Sequence, residues 1–113
     1  MEVNEIYLSI ANSIVGSLNT EWHKAVLKSE LQEGVTGYNL AYFDEKENRK
    51  SVRFVKPSYL SEQMHLLHSI TTEGGHNRWN KLEFTLFPDG KFDLQFIWDQ
   101  EWQDEVDGYN KKS

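Results

Sequence analysis

Residues 82–98 constrain this chain more than any other stretch, because they can form a β-hairpin in one register only. Leu82, Phe84 and Leu86 alternate with Glu83 and Thr85 before Pro88-Asp89-Gly90, and Phe92, Leu94 and Phe96 alternate with Asp93 and Gln95 after it. A two-residue Asp89-Gly90 loop would set Leu86 against Asp93 and Phe84 against Gln95, apolar against polar along the whole ladder. A three-residue loop, with Pro88 and Asp89 in a type I turn and Gly90 left-handed, pairs Leu86 with Phe92, Phe84 with Leu94 and Leu82 with Phe96. A slip of one residue turns every side chain to the other face, so the apolar face selects the three-residue loop. One face of the hairpin then needs a cover, and the other carries Glu83, Thr85, Asp93 and Gln95.

The cover is legible upstream. At ~100° per residue, Ile6, Tyr7, Ile10, Ala11, Ile14 and Leu18 fall within one stripe of about 140°, which predicts an N-terminal amphipathic helix. A second helix opens at Pro57, with Ser58 or a neighbour as cap, and gathers Leu60, Met64, Leu67, Ile70 and Thr71 on one face before Gly74-Gly75 ends it. Between the helices, 22–31 reads as a strand with imperfect alternation, Glu33, Gly34 and Gly37 as a turn, 38–43 as a strand, 44–48 as a charged turn and 49–55 as a third strand. The expected fold is α+β: a single antiparallel sheet of about five strands in α-β-β-β-α-β-β order, two helices packed on one face, and a possible short C-terminal amphipathic helix. At 113 residues the chain is one domain, 1–109, with 110–113 a short polar tail.

Function classes narrow by exclusion. The chain has no cysteine, which removes disulfides, thiol nucleophiles and thiolate metal sites. It shows no signal peptide and no apolar run of the ~20 residues a membrane span needs, so the expected compartment is the cytosol and no membrane partner is expected. A net charge of -6 and a pI near 5.1 argue against nucleic acid, whose phosphates require a basic face. Glu62, His65 and His68, at i, i+3 and i+6, could in principle ligate a metal. They read instead as solvent-exposed residues on the face opposite Leu67 and Ile70, with no further ligand offered. His76 follows Gly-Gly without the context of a phosphate loop, and nothing marks His23 as a catalytic base. No catalysis, metal or cofactor is expected.

The charge is concentrated. Residues 82–113 hold eight acids and three bases, whereas residues 1–81 hold ten acids and nine bases. Within 98–109, Trp98, Trp102, Val106 and Tyr109 share a helical arc of about 80°, with Asp99, Glu101, Asp104, Glu105 and Asp107 around the remainder. This pattern suits a third amphipathic helix docked on the sheet. It equally suits a fixed acidic patch with aromatic anchors for a basic protein surface, where charge accelerates encounter and aromatics slow dissociation.

The opening amphipathic helix, Glu21-Trp22 entering the first strand, the 38–43 strand and above all Trp79-Asn80-Lys81-Leu82-Glu83-Phe84-Thr85-Leu86-Phe87-Pro88-Asp89-Gly90-Lys91-Phe92 with its acidic, aromatic sequel resemble the YezG-like immunity proteins. These are small antitoxins encoded beside polymorphic toxins, many of which carry nuclease domains. The resemblance implies a cytosolic inhibitor that occludes its toxin stoichiometrically. On that reading Asp99, Glu101, Asp104, Glu105 and Asp107 are the electrostatic partners of a basic toxin, Trp98 and Trp102 the anchors, and Asp93 and Glu83 extend the patch across the sheet. The alternative expectation is an acidic secretion chaperone holding an effector segment through apolar grooves and sheet edges. The oligomeric state, monomer or homodimer, is open at this level.

Overall fold

The structure is a computed structural model that describes residues 2–32, 35–73 and 78–112. Its elements run α1 (Val3–Ser17), β1 (Lys24–Gln32), β2 (Val35–Phe43), β3 (Arg49–Val52), α2 (Pro57–Thr71), β4 (Lys81–Leu86), β5 (Phe92–Ile97) and α3 (Gln100–Lys112). The five strands form one antiparallel sheet in the order β3-β2-β1-β4-β5, with α1 and α2 covering its apolar face. The fold is α+β, as the hydrophobic patterning requires.

The hairpin adopts the expected register: Leu86 lies opposite Phe92, Phe84 opposite Leu94 and Leu82 opposite Phe96. Gly90 takes φ 90°, the left-handed conformation that closes a three-residue loop, and Phe87 and Lys91 bond across it (2.9 Å). Around this hairpin the core gathers Ile6, Ile10 and Ile14 of α1, Leu60, Met64 and Leu67 of α2, Leu27 and Leu40 of the meander, and Trp79.

Several boundaries differ from the sequence reading. Gly37 lies inside β2, opposite Glu30, and its carbonyl accepts the Ser29 hydroxyl (3.0 Å); the turn assigned at Glu33 and Gly34 lies outside the described residues. Strand β1 starts at Lys24 and leaves Trp22 half-buried before it. Strand β3 stops at Val52, because Phe54 turns into the core and meets the Tyr38 ring edge-on. Ser58 does not cap α2: Lys56 holds the cap position without a side-chain bond, and the fixed φ of Pro57 starts the helix. The Gly74-Gly75 break, the linker around it and His76 lie outside the described residues.

The two helix histidines are only partly exposed. His65 Nε2 is hydrogen-bonded to Thr36 Oγ1 (3.0 Å), and His68 Nε2 donates to the Trp79 carbonyl (2.9 Å) while its ring meets the indole edge-on. Both are half-buried and face structural partners; Glu62 is exposed. A helical wheel missed this because β2 and the chain around Trp79 flank α2 on sides that its own periodicity leaves polar.

Candidate functional site

The acidic end of the chain is a helix held by its root. Three consecutive residues, Trp79, Asn80 and Lys81, make that root. Trp79 is fully buried, with its indole N–H donating to Thr71 Oγ1 (2.8 Å), and it fixes the chain where β4 begins. Asn80, also buried, joins three elements. Its carbonyl accepts the Leu31 N–H of β1 (2.9 Å) and its N–H donates to the Ile97 carbonyl of β5 (3.0 Å). Its side chain takes the Asp99 N–H on Oδ1 (2.8 Å) and donates from Nδ2 to the Asp99 carbonyl (2.9 Å) and to Gln103 Oε1 (3.3 Å). The amide thus reproduces the two bonds of a β-bridge and points the chain into α3.

Asp99 completes the junction. One carboxylate oxygen accepts the Trp102 N–H (2.9 Å), an N-cap that satisfies a donor the helix cannot. The other pairs with Lys81 Nζ at 2.8 Å, and the ammonium lies 5.5 Å from the centre of the Trp102 ring. The bond from Lys81, reinforced by the Trp102 N–H, holds the Asp99 carboxyl below the usual carboxylate range. The same bond raises Lys81 above the ordinary lysine value. Asp99, though partly exposed, is therefore paired within the molecule as the hinge pin of α3.

The other acids divide. Glu101, Asp104, Glu105 and Asp107 are exposed on α3, and among the described residues none is in an ion pair. Gln100 donates to Asp104 (2.8 Å) and Gln103 to Asp107 (3.1 Å), each one turn apart, which fixes those two carboxylates without neutralising them. Trp98 is half-buried, with the Arg78 guanidinium 3.8 Å above its ring and its N–H bonded to Gln100 Oε1 (3.0 Å). Trp102 and Val106 are half-buried, and the Tyr109 side chain lies outside the described residues. Among the described residues, the hydrogen bonds and the ion pair of the helix with the body lie at this root; the helix runs on to Lys112, through 110–112 of the polar tail.

Glu83 and Asp93 lie on the uncovered face of the sheet, the face that also carries Lys81. Glu83 faces Lys28 across the β1–β4 ladder and lines a concavity of about 210 Å³ on the uncovered sheet face, with Lys24, Lys28 and Arg49 around it and Val26, Ala41 and Phe43 beneath. Asp93 is exposed on β5 opposite Thr85, at the sheet's edge. The cations that the sequence scatters through β1 and β3 meet here because antiparallel pairing sets Lys24 beside Phe43 and Phe43 beside Arg49. Sequence reasoning missed Asn80, Lys81 and this cationic cluster. A buried asparagine beside a tryptophan gives no periodic signal, and cross-strand neighbours appear only once the register is known.

Among the described residues no group of three or more acids and histidines converges on a metal-sized site, and no helix is long and apolar enough to cross a membrane. Compared with known proteins, the chain matches no family model and no curated protein.

Proposed function

We propose that this chain is an immunity protein of a polymorphic toxin system: a cytoplasmic, non-catalytic antitoxin that needs no cofactor and occludes a basic toxin domain, a nuclease in the first instance. The observation that carries the reading is a helix whose first turn is locked to the sheet by Asn80, Lys81 and Asp99 while Glu101, Asp104, Glu105 and Asp107 stay exposed and without an ion pair among the described residues. Four unpaired carboxylates within seven residues repel one another, a cost that a basic partner removes. A nuclease site must be basic to hold phosphate, so it matches this helix in charge and not in substrate. The resemblance to the YezG-like immunity proteins points the same way. Trp102, half-buried at the foot of the helix, is the aromatic anchor at the edge of the contact.

The test is stopped-flow association with the cognate toxin. Replacing Glu101, Asp104, Glu105 and Asp107 by Gln and Asn is expected to slow association at least tenfold at low salt and to flatten its salt dependence, because steering is a long-range charge effect. Trp102→Ala is expected to raise the dissociation rate, with a loss of about 2 kcal/mol if it anchors the contact. A folded quadruple variant that associates at the wild-type rate would sink the proposal.

One feature favours a secretion chaperone as the second reading. Strand β5 is an edge strand whose Phe92, Phe96 and Ile97 remain 36%, 39% and 37% exposed, and an open groove beside α1 is lined by exposed Leu8 and Val55. An extended effector segment could add to that edge. A toxin gene immediately upstream supports immunity; a secreted-effector gene supports the chaperone.

A further inference from the structure

The uncovered face of the sheet carries opposite charge at its two ends. Along β1 the outward residues are Lys24, Val26, Lys28 and Glu30, their inward neighbours Ala25, Leu27, Ser29 and Leu31 being buried. Lys24 lies beside Phe43 and Arg49 at one end; Glu30 lies beside Lys81 and Ile97 at the other, roughly 20 Å away at ~3.3 Å per residue. Lys81 reaches from this face to Asp99 and Trp102, which brings the root of α3 to the Glu30 end of the sheet, within reach of this face. One face thus presents an acidic helix at one end and a cationic concavity at the other.

The cations are notable for what they lack. Lys24 lies over the Phe43 ring (4.6 Å), Arg49 is oriented by the neutral oxygens of Asn39 (2.8 Å) and Ser51 (3.2 Å), and Lys28 stands at the rim. Among the described residues none of the three is in an ion pair, in a chain with 18 acids and 12 bases, and Glu83 is the single acid lining the concavity. Its volume, about 210 Å³, is below the ~300–1,000 Å³ of small-molecule sites and fits one or two side chains over an apolar floor. The occupant that matches is a short carboxylate side chain presented by a protein surface, and this chain carries such a surface in Glu101 and Glu105, one helical turn apart.

A face with acid at one end and base at the other becomes complementary to itself on a two-fold rotation, and two-fold interfaces are the commonest way identical chains associate. We propose that two copies of this chain pair through their uncovered sheet faces, each α3 placing Glu101 and Glu105 against Lys24, Lys28 and Arg49 of the other. A face roughly 20 Å along the strands, extended at one end by its own α3 and met at the other by the partner copy's, is of the order of the ~800 Å² per partner that specific interfaces bury. The inference stands apart from the immunity reading, but the same acids serve both, so a basic partner competes with the second copy.

The experiment is sedimentation equilibrium of the full chain, over concentrations reaching about 100 µM and at sodium chloride of about 20 mM and about 500 mM. The expected result is a dimer at low salt whose dissociation constant rises at least tenfold at high salt. Lys24→Glu with Arg49→Glu, and separately Glu101→Lys with Glu105→Lys, should each leave the chain monomeric with an unchanged circular dichroism spectrum. Mixing the two variants should restore a heterodimer, since one contact is then native and the other charge-swapped. A wild type that is monomeric throughout the low-salt series overturns the proposal. So does a dimer that neither charge reversal weakens, or a mixture of the two folded variants that stays monomeric.

Discussion

Asp99 shows how one side chain can belong to the scaffold although its composition suggests a surface charge. It caps α3, receives Lys81 and has its backbone matched by Asn80. Its folded carboxyl titrates below the ordinary range, so the interaction contributes stability above an unfolded pKa of about 3.9 and loses it as pH falls through the lower folded value. Asp99→Asn keeps a good cap but removes the charge. At neutral pH the variant should unfold at lower urea than the wild type, and the gap should close progressively below about pH 4 as the wild-type carboxyl is protonated. Asp44, which bonds the Lys46 and Asn48 amides and is likewise depressed, is common to both chains and cancels in the difference. A gap that persists unchanged at about pH 2 would show that Asp99 acts through geometry alone.

The hairpin of β4 and β5 is where local chemistry and global fold agree most closely. Gly90 at φ 90° has open space around it, so a substitution there meets no clash and its cost is conformational alone. Gly90→Val should destabilise by more than about 1 kcal/mol, because a β-branched residue resists positive φ, whereas Lys91→Ala, on an exposed position, should stay within about 0.5 kcal/mol. Chemical denaturation of both variants checks this; equal midpoints would contradict the turn assignment. The helix α3 is the contrasting element. Its periodicity made a helix possible, and the structure attaches that helix through the cap and the Asn80 amide.

For the whole molecule, this attachment divides a packed body from a projecting acidic helix. Among the described residues, the core of Ile6, Ile10, Leu27, Met64, Trp79 and Phe84 draws nothing from beyond residue 97. A chain truncated after Asp99 keeps both Asp99 bonds to Asn80 and should therefore unfold cooperatively, at a cost of about 1–2 kcal/mol for the lost Trp102 cap bond and the lost Asn80–Gln103 bond. It should lose the association with a basic partner and the self-association together. A truncated chain without a cooperative transition would place α3 in the core.

The amino-acid sequence by itself determined the two apolar helices, the strand inventory and the hairpin register, because each is encoded by periodicity and turn chemistry within a few residues; at the C-terminus it offered a helix only as a possibility. What only the tertiary structure decided is which polar residues meet across distance. It set His65 against Thr36 and His68 against Trp79, made Asn80 a junction of β1, β5 and α3, and paired Asp99 with Lys81. It also placed Glu83 among Lys28, Lys24 and Arg49. Hydrogen bonds and ion pairs depend on positions to within an ångström, set by cross-strand register and packing, and no local pattern in a chain records them.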